Sequence, residues 1–435
     1  MSTETKTKTA SQTKGKKKGK AGKVILCILG VIVLFVAVTA LISVIGNSAN
    51  MKKALSFPKV EYESQLVPEK DAHGNFTFTA DRDLKVLQLT DVHIGGGWMC
   101  LKKDAMALNA VAAMVTAEKP DLVIVTGDIG YPVPFQAGTF NNKASAKLFA
   151  ALMDQLGVYW TLGFGNHDTE AYSYFSREKM SAFYASGDYK YCLFQAGPEE
   201  IDGYGNQIIA LKNTMGAVSQ LLYVLDSHSY TDGDFLGVLW KYDNLHQNQI
   251  DWYADTLKAY QEENEAVYGK MGLEGAIPMV KSCLFFHIPL TEFKDAWYEY
   301  VDNGLKDTEN VKYVYGTAGE GKKVVYCGIG DDNLFETVQE LGSTQGIFCG
   351  HDHLNNFSLE YKGVRLTYGR SVDYLAYPGI YKLGSQRGCT VITYAPDGSM
   401  TVTPESYYQE KYTSFYAKED VTMQEETVLM ELPTE

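Results

Sequence analysis

The sequence predicts an α/β domain with parallel strand pairing, carried behind a single N-terminal membrane-spanning helix. Three observations predict it. Apolar runs of strand length alternate with stretches of helical periodicity. Strand after strand ends on a polar residue with metal-ligand chemistry. Residues 24–46, VILCILGVIVLFVAVTALISVIG, run without a charge.

The N-terminal elements come first. Residues 1–23 hold eight lysines against one glutamate and are low in complexity, which predicts a disordered tail. The apolar run that follows matches the ~20 residues that cross a hydrocarbon core. A buried helix is the rival reading, but it would not be apolar on every face. A cleaved signal peptide has an apolar core of about 7–15 residues ending at a small-residue site. Here the run is longer, and NSANMKK offers no such site. The run therefore reads as an uncleaved anchor. The lysines before it, against Lys52 and Lys53 after it, place the N-terminus in the cytoplasm and the body outside.

The body's elements follow in order. LKVLQLTDVH (84–93) is a buried strand entering a loop. Residues 107–120 place Leu108, Val111, Met114 and Val115 on one helical face, and Pro120 ends it. DLVIVTGD (121–128) is a strand, 143–155 a helix, and VYWTLGFGNHD (158–168) a strand entering a loop. This alternation implies right-handed crossovers and parallel pairing. Residues 205–213 and 219–227 form an antiparallel pair. Then come a helix at 248–264, a strand at 280–287, a helix at 291–301 and a strand at 344–351. The stretch 303–330 is expected to be loop-heavy, and the region to 404 mostly strands and turns.

Composition narrows the partners. The 435 residues are 45% hydrophobic, ample for a sizeable core. Net charge is −14; with +7 in residues 1–23, the remainder carries −21. Such a body is not expected to bind a nucleic-acid polymer. It leaves room for a small anionic substrate held by local cations. The seven cysteines show no close-spaced framework, and Cys283, Cys349 and Cys389 sit inside apolar runs. Buried free thiols are expected.

The strand ends carry the chemistry. They are Asp91-Val92-His93, Gly127-Asp128, Gly165-Asn166-His167-Asp168, His287 and His351-Asp352-His353. Five of the eight histidines fall there. In parallel α/β folds ligands bind at the carboxyl ends of strands, so the five segments are expected to meet at one sheet edge. Carboxylates, imidazoles and a carboxamide without thiolate suit Mn, Fe, Zn or Mg ions. A pair of ions about 3.5–4 Å apart needs one bridging carboxylate.

The ordered set D-x-H, G-D, G-N-H-D, H and G-H-x-H resembles the calcineurin-like metallophosphoesterase superfamily. LDSHSY, HQNQIDWY, FFHIPLTEF and GHDHLNN are similar to its purple-acid-phosphatase-like branch. The resemblance covers about residues 84–370. It implies a four-layer α/β/β/α sandwich of two mixed sheets and a two-metal centre. Asp91, His93, Asp128 and His353 would hold one ion, with Asp128 bridging. Asn166, His287 and His351 would complete the other. His167 would stand beside the substrate, oriented by Asp168. In the purple enzymes the tyrosine of G-D-x-x-Y ligates iron and the first motif lacks its histidine. This chain has both His93 and Tyr131, and Tyr131 is expected to line the pocket. Arg370 is a candidate contact for a phosphate oxygen, with a surface ion pair as the alternative.

The implied organisation is a cytoplasmic tail (1–23), a transmembrane helix (24–46), a juxtamembrane linker with lead-in strands (47–80), a metallophosphoesterase domain (81–404) and an acidic tail (405–435). The expected activity is metal-dependent hydrolysis of phosphate mono- or diesters outside the cell membrane. The alternatives are a nucleotide or pyrophosphate hydrolase on the same centre, or a catalytically inactive surface-binding protein. His228 is expected on a solvent-exposed loop and His246 at a surface or helix cap. The loops at 131–142, 228–247 and 303–343, which shape the pocket, are not resolved by pattern.

Overall fold

The structure, a computed structural model, describes residues 18–415 except 274, 276, 321–323, 331, 378–379 and 381–386. The start of the lysine-rich tail and most of the acidic C-terminal tail lie outside the described residues.

Chain order runs α1 (Lys18–Ala54), β1 (Glu69–Lys70), β2 (Phe76–Thr79), β3 (Leu84–Leu89), α2 (Leu101–Glu118), β4 (Leu122–Thr126), α3 (Pro134–Ala137), α4 (Asn142–Leu156) and β5 (Trp160–Gly163). It continues with α5 (Arg177–Tyr184), β6 (Gln207–Lys212), β7 (Val218–Val224), α6 (Gln247–Lys270), β8 (Lys281–Phe285), α7 (Thr291–Asp302) and β9 (Val311–Tyr315). It closes with α8 (Leu334–Leu341), β10 (Thr344–Cys349), β11 (Ser358–Tyr361), β12 (Val364–Tyr368), β13 (Gly388–Tyr394) and β14 (Met400–Ser406).

Two mixed sheets result. One has five strands in the order β14-β13-β3-β4-β5; the other has nine, β1-β2-β6-β7-β8-β10-β12-β11-β9. β3, β4 and β5 pair in parallel, as their short helical crossovers require. β7, β8, β10 and β12 are likewise parallel, while β6 and β7 pair antiparallel.

The alternation of side chains explains the layering. In β4, Leu122 and Ile124 face the core between the sheets, while Val123 and Val125 face the helices α2 and α4. In β8, Cys283 and Phe285 point into the same inter-sheet core, and Leu284 points to the outer core under α6 and α7. Phe285 and Phe348 stack at 4.9 Å at its centre. Each such fully buried aromatic contributes roughly 1.5–3 kcal/mol. The arrangement is the four-layer α/β/β/α sandwich.

Two expectations change and one is refined. The ligand-bearing segments do not meet at one edge of one sheet: β3, β4 and β5 belong to the five-stranded sheet, and β8 and β10 to the nine-stranded one. Because the sheets stack face to face, their carboxyl ends flank one cleft. The 303–330 stretch is loop-heavy as expected but also contains β9, whose alternating exposure marks an edge strand paired with β11. The C-terminal region packs further than the strands do, with Tyr407 and Tyr412 buried in the outer core. All seven cysteines are free, and Cys100, Cys283, Cys349 and Cys389 are buried.

Candidate metal centre

The cleft is assembled from strand ends. Asp91 and His93 follow β3, Asp128 follows β4, Asn166 and His167 follow β5, His287 follows β8, and His351 and His353 follow β10. Each backbone turns sharply on leaving its strand. Asp91, His93, Asp128 and His351 have φ of 50°, 53°, 56° and 77°. Left-handed backbone is costly for such residues and clusters at functional sites. Gly165 permits the closest approach: a Cβ there would lie 2.1 Å from Asp128 Oδ1.

The donor atoms converge. One ligand atom each from Asp91, His93, Asp128 and His353 lie within 4.8 Å of one another. Asp128 Oδ2 lies 3.3 Å from His93 Nε2 and 3.2 Å from His287 Nε2, so it stands between two sets of donors. His287 Nε2 is 3.1 Å from Asn166 Oδ1 and 3.3 Å from His351 Nδ1. Its Nδ1 faces the Thr126 carbonyl at 2.9 Å, leaving Nε2 for the cleft. The other Asp128 oxygen accepts the His167 N–H at 2.9 Å. All seven expected ligands are buried.

Electrostatics match a cation site. Burial disfavours a charged imidazole, but Asp373 and Asp128 outweigh it and hold His93 well above its ordinary value. His287 is pushed up to about 9, burial being overcome by Asp128. Burial and the nearby His287 push His351 well below its ordinary value. Burial alone would raise Asp128, yet His287 and His167 hold it well below the usual carboxylate range. Asp91 Oδ1 is buried without a hydrogen-bond partner. A buried carboxylate oxygen left bare beside imidazole nitrogens is a donor set that fits metal ions.

Two supporting residues escaped the sequence. Asp373 Oδ1 lies 3.2 Å from His93 Nδ1, and Oδ2 lies 3.7 Å from His353 Nδ1. It sits behind both rings and leaves each Nε2 aimed at Asp91 and the cleft. Backbone N–H groups of Leu375, Ala376 and Tyr377 fix it at 2.7 Å. The second is Glu170. Its Oε1 lies 2.7 Å from His167 Nδ1 and accepts the Tyr230 hydroxyl at 3.1 Å. The same hydroxyl accepts from Asn166 Nδ2 at 2.8 Å. A hydrogen-bonded chain thus joins an expected metal ligand to the histidine beside the cleft. This corrects the role of Asp168. Its carboxylate does not reach the His167 ring; it accepts the N–H groups of Asp128, Gly130 and Gly165 and ties the two loops together.

The remaining candidates are placed as follows. The Tyr131 ring lies 4.8 Å from His93 and 4.6 Å from His167, while its hydroxyl donates to Gln136 Oε1 at 2.7 Å. It therefore walls the cleft with its ring. Arg370 is buried rather than on the surface; its Cδ faces Gly388, and its charge lies near Tyr315. His228 is half-buried and stacks on His246 at 4.0 Å. Over the centre opens a cavity of about 370 Å³, lined by His167, His351 and His353 together with Trp240, Glu320 and Tyr377.

Comparison with known proteins gives the family of the chain. Residues 84–355 match the calcineurin-like phosphoesterase family. An Arabidopsis thaliana protein named "Probable inactive purple acid phosphatase 29" is 28% identical over 345 residues, covering 75% of this chain and 80% of its own length. "Phosphatase DCR2" of Saccharomyces cerevisiae is 27% identical over 300 residues, covering 65% of this chain and 46% of its own. The solved structure of a dimetal phosphatase from Danio rerio aligns with a TM-score of 0.48 at 12% identity, over 76% of this chain and 98% of that one. With more than half its length matched and the motif residues gathered in one buried cleft, the chain belongs to the calcineurin-like phosphoesterase family.

Proposed function

We propose that the chain is a membrane-anchored, extracytoplasmic phosphoesterase with a dinuclear metal centre, hydrolysing phosphate mono- or diesters. The observation that carries this reading is Asp128, whose one oxygen faces donors from both sheets. Asp91, His93, Asp128 and His353 would hold one ion; Asp128, Asn166, His287 and His351 would hold the second. Mn, Fe, Zn and Mg all suit the donors. Two such ions supply a hydroxide at neutral pH and neutralise charge on the phosphoryl oxygens.

The chain's own residues do the rest. His167 protonates the leaving oxygen as the ester bond breaks, a role suited to an imidazole. Glu170 holds the His167 ring through Nδ1 and leaves Nε2 for the substrate. Tyr131 and Tyr242 close the sides of the cleft with apolar ring faces. Arg370, buried and absent from the cavity lining, is given no phosphate contact in this reading. The anchor is the apolar helix Gly22–Ala54, and the lysine asymmetry across it supports an outside body.

A second reading is favoured by the printed names of several relatives, which carry the words "probable inactive". On that reading the fold serves surface binding. Metal analysis of the purified full chain, with turnover of p-nitrophenyl phosphate and its bis-ester, tests the two. Two metal equivalents with turnover support the enzyme; two equivalents without turnover on any phosphoester favour the inactive protein.

A further inference from the structure

The path of α1 relates the span to the cleft. Asn50 donates to the Leu101 carbonyl at 2.9 Å and Asn47 to the Gly96 carbonyl at 2.7 Å, beside the loop that leaves β3. Downstream, Val60 bonds to Leu156 and Tyr62 to Pro120, at the opposite edge of the sheet. Followed back towards its N-terminus, α1 therefore climbs to the carboxyl edge of the strands and passes beyond it. Phe35 lies roughly 18 Å past Asn47 at ~1.5 Å per residue. It meets Trp98 edge to face at 6.1 Å. The metal cleft opens on this same edge.

The loops at this edge are apolar at their tips. Met99, Phe135, Phe140 and Tyr174 flank the Phe35–Val44 stretch of α1, and Phe135 is 89% exposed. Across the cleft, the loop after β7 presents Phe235, Leu236, Val238, Leu239 and Trp240, with Phe235 70% exposed. Water is a poor solvent for so many large apolar tips on one face. Lysines sit one level below them. Lys102, Lys103 and Lys143 lie in the first turns of α2 and α4, where the helix dipole disfavours cations. Lys143 and Lys147 line one groove with Asn47 and Met51. On the α2 and α4 side, apolar tips above a basic band match acyl chains above anionic headgroups, whereas the loop after β7 carries Asp232 and Asp234 beside Phe235 and offers apolar side chains alone.

Both apolar loops also reach the cleft. Trp240 is one of the cavity walls. Phe135 precedes Gln136, which holds the Tyr131 hydroxyl beside His167. We infer that the active face is seated on the outer leaflet of the bilayer, and that the substrate is a lipid phosphoester presented from that leaflet. This rests on the reading of the chain as an anchored phosphoesterase, and it adds the orientation of the body and the class of leaving group.

The test uses full-length protein in phosphatidylcholine vesicles. Phosphate release is measured from dioleoyl phosphatidic acid in the same bilayer and from its water-soluble dihexanoyl analogue. Phe135→Asp and Phe235→Asp should each slow release from the bilayer substrate about tenfold, because a charge resists insertion. Both should leave the soluble analogue unaffected, since neither side chain lines the cavity. Acyl-brominated lipid should quench a tryptophan component that is absent in Trp240→Phe. Equal loss on both substrates, or none on either, overturns the inference. So does a detergent-solubilised dimer that Phe235→Asp dissolves, with Trp240 unquenched, since a second copy would then cover the loop. If p-nitrophenyl phosphate is turned over but neither phosphatidic acid is, the lipid class is wrong. If no phosphoester is turned over by the metal-loaded protein, the phosphoesterase reading fails, and the quenching alone decides the docking.

Discussion

Asp91, His93, Asp128 and His353 bring ligand atoms within 4.8 Å of one another, and so do His228, Asp243 and His246. The first set is buried between two sheets and keeps a bare carboxylate oxygen. The second is half-exposed and already satisfied. His246 precedes α6 and pairs with Asp202 at 2.7 Å, and its backbone N–H donates to Gln249 Oε1 at 2.8 Å. His228 faces Gln249 Oε1 at 2.8 Å. The two rings stack 20° from parallel, so their in-plane lone pairs do not aim at one point. Proximity alone therefore does not make a metal site. Rigid strand ends and unsatisfied donors do.

The sharpest break of this comparison is Asp128→Ala. It should empty the whole centre of metal and abolish turnover, read by metal analysis and phosphate release. Retention of both ions at full occupancy would remove Asp128 from the bridging position. Next, His167→Ala should keep the metals and lower kcat by about 10²–10⁴. The loss should be greater for an alkyl phosphate than for p-nitrophenyl phosphate, whose leaving group needs no proton.

Glu170→Gln should cost roughly 10–100-fold, the scale seen when an orienting partner of a functional histidine is lost. It should share the leaving-group dependence of His167→Ala and leave metal content intact. A loss independent of leaving group would separate Glu170 from proton transfer. The smallest effect belongs to the second cluster. His246→Ala should leave metal content and kcat unchanged and cost at most about 1 kcal/mol of stability, through the lost pairs with Asp202 and Asp243. Burial would lower His246, but Asp202 and Asp243 raise it above its ordinary value. A raised imidazole contributes stability that is complete below the unfolded value, about 6.5, and fades as pH rises through the folded one. The gap between wild type and His246→Ala should therefore be wider at pH 6 than at pH 9 in thermal melts.

The legible part of this molecule lies where local pattern and function coincide. LVIVT followed by Gly-Asp states both a buried strand and a ligand at its end. Asp373 and Glu170 carried no such signal. Glu170 is three residues from His167 but is told from Asp168 only by the turn that swings it under the ring. Asp373 reaches His93 across 280 residues of sequence. Tyr230 lies in a loop whose path depends on Tyr242 stacking beneath it at 5.4 Å. The division into two sheets was equally silent, because parallel strands read alike whichever sheet receives them. β9 was missed because an edge strand carries only a half-apolar pattern in a polar stretch.

The left-handed backbone at Asp91, His93, Asp128 and His351 has one further consequence. Only glycine holds that conformation without steric cost, about 1 kcal/mol for most other residues. At these four places, then, the requirements of endurance and of chemistry point in opposite directions. A lineage that drifted away from hydrolysis would find glycine a gentler replacement than alanine for each donor, because alanine would keep the steric cost.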